Sequence, residues 1–153
     1  MSFEKAKEHL KKLKLDKNIM EFDKSSATVA EAAKLVPCKE DEIAKSMSFI
    51  VEDKPIIIVV SGNSRIDNSK FKNEFHTKAK MIPYEEVERL IGHAAGGVCP
   101  FGVKEEVIVY LDISLKKYNI VYPACGNANS AVKLKLEELE KASNYIKWVD
   151  VCK

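Results

Sequence analysis

The sequence predicts a single α/β domain in which helices flank a mixed β-sheet. Three observations support this fold class. The 153 residues match the size of one domain. Segments with the period of a helix interleave at short intervals with alternating or continuously apolar segments, which are typical of strands. No repeat, linker or low-complexity segment divides the chain. We therefore expect residues 1–153 to form one compact domain.

Two helices are predicted before the first long strand. Over Phe3–Leu13 the apolar residues recur at steps of three and four, which is typical of an amphipathic helix. Thr28 and Glu31 have the spacing of a capping box, in which each side chain bonds the backbone amide of the other residue. Pro37 cannot continue a helix. The second helix is therefore expected over residues 28–36.

A β-hairpin is predicted next. Apolar residues alternate over Ile43–Val51, so one face of this strand is apolar. The run Ile56–Val60 consists of β-branched residues, which favours a strand buried on both faces. Asp53, Lys54 and Pro55 separate the two segments and provide the turn.

The same patterns predict the remaining elements. Glycine at position 92 is where a left-handed residue would end the helix of Pro83–Ile91. We further expect helices at Asn68–His76 and Leu136–Ala142, a long irregular loop at His93–Lys104, and extended segments or strands at Ile19–Phe22, Val107–Leu111, Asn119–Tyr122, Ala131–Leu134 and Lys147–Val151.

Composition and charge exclude several classes of function. The longest aliphatic run has five residues, which is too short to span a membrane. With 25 basic and 23 acidic side chains, the charge of the whole chain does not dictate a nucleic-acid partner. The four cysteines form no Cys-x-x-Cys pair and the histidines have no ligand spacing. We expect a cytoplasmic protein with reduced thiols, no metal, no cofactor and no membrane partner.

The most informative stretch is glycine-rich and lies between Gly92 and Gly102. Four of its eleven residues are glycines. It is not a phosphate-binding Walker loop, because no Gly-Lys-Ser/Thr follows. It is not a dinucleotide fingerprint either, because it follows a helix and precedes a strand. Two interpretations remain open: a tight surface loop, or a rim of unpaired N–H groups that binds a carbonyl or an oxyanion.

Other residues also leave two interpretations open. Lys45 falls on the apolar face of its strand, so it either extends along the surface to solvent or places a fixed cation in a cleft. His93 and Cys99 are six residues apart and form either a thiol–imidazole pair or a buried structural pair. Cys125, beside Gly126, is similarly ambiguous.

Four motifs together resemble the YbaK-type family, the free-standing relatives of the editing domain inserted in bacterial prolyl-tRNA synthetases. In chain order they are Thr28–Ala33, Ile43–Ser46, Ser61–Asp67 and Gly96–Gly102. The resemblance extends from about residue 20 to the C-terminus. It implies an α/β fold with a mixed sheet and an aminoacyl-tRNA deacylase that removes wrong amino acids from tRNA.

The resemblance also assigns candidate site residues. The functional lysine of the family corresponds to Lys45, and its Gly-x-x-x-Pro loop to Gly96–Pro100. The expected catalytic set is Lys45 with the backbone of Gly96, Gly97 and Val98. The residues expected to line the substrate pocket are Ser46, His93, Cys99, Pro100, Phe101, Gly102, Cys125 and Gly126. His93 stands where many relatives have tyrosine, which leaves the amino-acid substrate open.

An aminoacyl ester is already activated, so its hydrolysis requires positioned water and a stabilised oxyanion more than a strong nucleophile. The sequence shows no Ser-His-Asp set and no carboxylate pair. As the resemblance implies, we expect a ribose hydroxyl of the tRNA to orient the water. A small amino acid such as Cys, Ala, Ser or Thr is the expected target, because a small pocket excludes larger side chains. Two alternatives stay open: a non-catalytic aminoacyl-binding or tRNA-binding module that regulates a synthetase, and a hydrolase that uses Cys99 and His93. The expected partner is aminoacyl-tRNA, and a synthetase is left open as a second one.

Overall fold

The computed structural model describes residues 2–153, which form five α-helices and eight β-strands. The helices are α1 (Ser2–Lys12), α2 (Val29–Leu35), α3 (Asn68–Phe75), α4 (Tyr84–Ile91) and α5 (Leu136–Ala142). The strands are β1 (Ile19–Glu21), β2 (Ile43–Val51), β3 (Lys54–Ser61), β4 (Ile108–Asp112), β5 (Ile120–Pro123), β6 (Ser130–Val132), β7 (Leu134–Lys135) and β8 (Lys147–Val149).

The larger sheet has six strands in the order β7-β5-β2-β3-β4-β8. β2 pairs antiparallel with β3 and β5 with β7, whereas the pairs β2–β5, β3–β4 and β4–β8 are parallel. β1 and β6 form a separate antiparallel pair. The predicted α/β fold with a mixed sheet is therefore confirmed.

The predicted hairpin is the centre of this sheet. β2 and β3 pair along their length, and Lys45 lies opposite Val60. Ile57 and Val59 pack in one apolar cluster, whereas Ile58 and Val60 pack in another. β3 is thus buried on both faces, as its β-branched run predicts.

Two predicted helix ends are confirmed in detail. Thr28 caps α2, since its hydroxyl accepts a hydrogen bond from the Glu31 amide at 3.2 Å while the Glu31 carboxylate accepts from the Thr28 amide. The helix ends at Leu35, just before Pro37. Gly92 ends α4 with a φ of 101°, a conformation that favours glycine.

The prediction of one strand at Ala131–Leu134 is wrong. Val132 pairs with Ile19 in the small sheet, whereas Leu134 pairs with Val121 in the large one, so the chain changes sheets at residue 133. The last strand is also shorter than Lys147–Val151. The amide of Val151 donates to the Asp112 carboxylate at 2.9 Å instead of continuing the ladder.

Candidate active site

A cleft of about 460 Å³ opens beside β2, where β5 pairs with only the first two residues of that strand. Its walls come from β2, the start of α2, the segment that leads into α4, and the glycine-rich loop. The lining residues are Ser26, Ala27, Thr28, Val29, Ala32, Ile43, Ala44, Lys45, Ser46, Met47, Ser48, Met81, Ile82, Tyr84, Val87, Ala95, Gly96, Val98, Tyr122, Ala124, Ser130 and Ala131.

Lys45 is the one lysine, arginine, histidine or acidic side chain in this lining. Its ammonium group donates a hydrogen bond to the carbonyl of Ser64 at 3.2 Å, which holds the side chain in place. Burial lowers the pKa of Lys45 below its ordinary value, and the nearby charge of Arg65 lowers it further. The cleft therefore contains a fixed, partly desolvated cation.

Ser46 follows Lys45 and lies at a gap in the hydrogen-bond ladder of β2. On one side of the gap, Ala44 pairs with β5. On the other side, the Ser48 carbonyl and the Ile50 amide bond the segment 80–82. Backbone groups of alternate residues in a strand point the same way, so the amide and carbonyl of Ser46 point out of the hairpin into the gap. The Ser46 hydroxyl oxygen is buried and has no partner within residues 2–153.

The glycine-rich loop contributes Ala95, Gly96 and Val98 to the cleft. Gly96 has a φ of 91°, which turns the backbone at the cleft. Gly97 is not among the lining residues, and its amide donates to the Ala94 carbonyl at 3.0 Å. The amides of Gly96 and Val98 form no hydrogen bond with the described residues.

The same loop buries the residues that suggested thiol chemistry. His93, Cys99 and Phe101 are each 0% exposed. The Nε2 of His93 donates to the Phe101 carbonyl at 2.6 Å and lies 3.5 Å from the Cys99 sulfur. Burial lowers the pKa of His93 and raises that of Cys99, so both groups are held neutral. A thiol–imidazole pair is present, but it is closed off from the cleft.

Four more sequence candidates also lie away from the cleft lining. Pro100 is buried, and Cys125 is buried with its pKa raised to about 12 by desolvation. Gly102 and Gly126 pack against α1, where an added Cβ would come within 2.7 Å and 2.5 Å of backbone oxygens. These residues and the buried pair hold the loop and its neighbouring turn against α1, and the structure does not bring them to the cleft.

Several lining residues were missed by the sequence analysis. Thr28 is predicted as a helix cap and as part of a family motif but not as a cleft residue, although Thr28, Val29 and Ala32 together form a wall of the cleft. Tyr84, Tyr122 and Ser130 reach the cleft from distant parts of the chain. No sequence signal marks their approach, since it depends on how the sheets and helices pack.

The lining determines which chemistry is available. It contains no carboxylate, imidazole or thiol among the described residues, so its titratable side chains are those of Lys45, Tyr84 and Tyr122. What it offers is one cation, free backbone amides and hydroxyl groups. Such a site can bind and polarise a carbonyl and position water.

Within residues 2–153, no helix is long and apolar enough to cross a membrane. The same part of the chain has no group of three or more histidine, cysteine or acidic residues that would hold a metal ion.

The chain is similar to several known proteins. The model of a family described as an aminoacyl-tRNA editing domain matches residues 23–142. YwhH of Bacillus subtilis (strain 168), described as uncharacterized, is 44% identical over 154 residues, which cover 100% of this chain and 98% of YwhH. The proline–tRNA ligase of Geobacillus thermodenitrificans (strain NG80-2) is 30% identical over 100 residues, which are 65% of this chain and 17% of the ligase. A solved structure described as a candidate trans-editing enzyme for prolyl tRNA synthetase has a TM-score of 0.88 and 27% identity over 99% of this chain and 97% of that one.

Proposed function

Because the chain belongs to the aminoacyl-tRNA editing domain family, we propose that it acts in trans to hydrolyse the ester of a tRNA mischarged with a small amino acid. A single observation supports this most directly: one cleft is lined by Lys45 and by Gly96 and Val98, whose amides have no hydrogen-bond partner among the described residues, and this lining contains no carboxylate, imidazole or thiol. This combination suits an activated ester and does not suit an amide bond, which would require more assistance.

The proposed mechanism assigns a role to each part of the cleft. The amides of Gly96 and Val98 bind the ester carbonyl and stabilise the negative charge that develops on its oxygen. Lys45 binds the adjacent phosphate or supports the same oxyanion. A ribose hydroxyl of the terminal adenosine orients the attacking water.

The size and the apolar lining of the cleft favour a small amino acid. The cleft of about 460 Å³ must hold the terminal adenosine as well as the amino acid. Val29, Ala32 and Met47 leave an apolar space without a partner for a charged side chain. Alanine, serine, threonine and cysteine are therefore the proposed class. Relatives named as proline–tRNA ligases make the proline tRNA the first to test, and a synthetase is a proposed second partner. Such an enzyme would act in the cytoplasm, where tRNAs are charged.

A non-catalytic module that binds the aminoacyl end of tRNA is the second candidate. The lining contains no carboxylate, imidazole or thiol among the described residues, which supports it, since binding requires no general base. Such a module would bind a non-hydrolysable aminoacyl-tRNA analogue as the enzyme does, but it would not turn over the ester.

The decisive experiment is deacylation of labelled alanyl-, seryl-, threonyl-, cysteinyl- and prolyl-tRNA, on matched and mismatched tRNAs. We expect turnover of at least one mismatched species and loss of that turnover in Lys45→Ala. Lys54→Ala is the matched control, because Lys54 is exposed at the far end of the same hairpin. If the folded protein binds the non-hydrolysable analogue but hydrolyses no species, the deacylase proposal fails and the binding module takes its place.

A further inference from the structure

Two large apolar side chains are exposed together at the mouth of the cleft. Tyr84 is 78% exposed and Met81 is 57% exposed, and both belong to the cleft lining. The other large apolar side chains that are exposed, Leu13, Ile113 and Ile146, do not belong to this lining. Exposure of a tyrosine ring to water costs free energy that burial would recover, so an aromatic rim at a binding cleft indicates a partner for the ring.

Tyr84 continues an apolar stripe that begins in the core. Tyr84, Val87 and Ile91 are spaced by three and four residues and lie on one face of α4. Val87 is 5% exposed and Ile91 is 0% exposed. The stripe thus leaves the core at the first turn of the helix, and the tyrosine ring stands at the entrance to the cleft.

The chemistry of the substrate determines what must lie at this entrance. This step rests on the proposed function. If the ester is held near Lys45 and Gly96, the nucleoside attached to it must extend toward the mouth. Every nucleobase has a flat π-face, and aromatic side chains in proteins that bind single-stranded nucleic acid stack on such faces. We propose that Tyr84, flanked by Met81, stacks on the terminal adenine of the aminoacyl-tRNA.

The test compares two short RNA probes that end in CCA and have an amide in place of the ester. One has the complete terminal adenosine, and the other has a terminal ribose without its base. Binding is measured by fluorescence anisotropy for the wild type, Tyr84→Ala and Tyr84→Phe. The matched control is Ile146→Ala, because Ile146 is 64% exposed and lies outside the cleft lining.

We expect Tyr84→Ala to weaken binding of the complete probe about tenfold and to leave binding of the abasic probe unchanged. Tyr84→Phe retains the ring and should bind as the wild type does, as should Ile146→Ala. In turnover of a mischarged tRNA, Tyr84→Ala should raise KM with little change in kcat, because the ring does not contact the reacting ester.

Equal binding of the complete probe by Tyr84→Ala and the wild type would overturn the stacking proposal, as would equal losses on both probes. Neither result would affect the deacylase proposal, which depends on turnover by the wild type. A wild type that binds neither probe and hydrolyses no aminoacyl-tRNA would overturn both.

Discussion

The two sides of the glycine-rich loop differ in an instructive way. The side that faces the cleft contributes Gly96 and Val98, whose functional groups are backbone amides. The opposite side contributes His93 and Cys99, whose side chains are the more reactive by type, yet both are 0% exposed. Reactive residue types therefore form the support of this loop, and its least reactive residues face the substrate space.

The difference follows from the environments of the two sides. Burial holds His93 and Cys99 neutral and gives the imidazole a carbonyl partner, so their contribution is packing and a fixed loop shape. On the cleft side, the loop faces Lys45, and chemistry depends on the positions of dipoles and charge. Four substitutions or treatments separate these roles, and their expected effects decrease in the order given.

The largest effect is expected from Lys45→Met on the cleft side. Loss of the cation should lower kcat/KM for a mischarged tRNA about 100-fold or more, which is typical when one electrostatic contact to the transition state is removed. Lys54→Met should leave kcat/KM unchanged. A change of less than threefold in Lys45→Met would contradict a catalytic role for this residue.

The Lys45→Met variant should not be less stable than the wild type. The pKa of Lys45 is lowered in the folded protein, so the unfolded chain binds this proton more tightly. Between the lowered pKa and 10.5, the free energy of unfolding of the wild type should therefore rise with pH. Urea titrations across this range should show that rise in the wild type and a smaller one in Lys45→Met.

The second-largest effect is expected from Gly97→Ala, at the point where the glycine-rich loop contacts the turn that contains Asn127. In Gly97→Ala the added Cβ would lie 2.5 Å from the backbone nitrogen of Asn127, so the loop must move. We expect the free energy of unfolding to fall by about 1–3 kcal/mol, and deacylation to fall with it. Glu105→Ala, at an exposed position after the loop, should change stability by less than about 0.5 kcal/mol. Equal stabilities of the two variants would refute this contact.

Cys99→Ala tests the buried side of the loop. Removing the buried sulfur should lower the free energy of unfolding by about 1–2 kcal/mol, which urea titration measures. The deacylation rate should stay within about threefold of the wild type, because the thiol does not reach the cleft. Loss of all activity in a folded Cys99→Ala protein would instead support the alternative in which the protein is a hydrolase that uses Cys99 and His93.

The smallest effect is expected from alkylation of the native protein with iodoacetamide at pH 8. Cys99, Cys125 and Cys152 are buried, and desolvation raises the pKa of each thiol. Cys38 is half-buried, with its pKa raised to about 11 by the same cause, so it alone is open to slow labelling. Mass spectrometry should find at most one label on active protein and four after unfolding. Rapid labelling of Cys99 would contradict the closed loop.

Local patterns were sufficient to predict the centre of the fold. The alternation of Ile43–Val51 and the β-branched run after Pro55 predicted the hairpin, and the capping box of Thr28 and Glu31 predicted the start of α2. These features depend on interactions within a few residues, or on burial that the apolar pattern of the segment indicates directly. The prediction of Lys45 as a candidate cation also came from its position on an apolar strand face.

Pairing between distant segments could not be predicted in the same way. Residues 131–134 have the pattern of one strand, but the sequence does not show that Val132 meets β1 while Leu134 meets β5. The same limit applies to the site. Tyr84 and Ser130 reach the cleft through packing, and the burial of Cys99 depends on the contact of its loop with α1.

The gap at Ser46 has a consequence for hydrogen exchange. The amides of Ala44 and Ile50 are bonded on either side of it, whereas the amide of Ser46 has no partner within residues 2–153. We therefore expect this amide, in the middle of the larger sheet, to exchange with solvent without any unfolding of the strand. A molecule that fills the cleft would slow exchange at this position, so the isotope content of one amide reports whether the cleft is occupied.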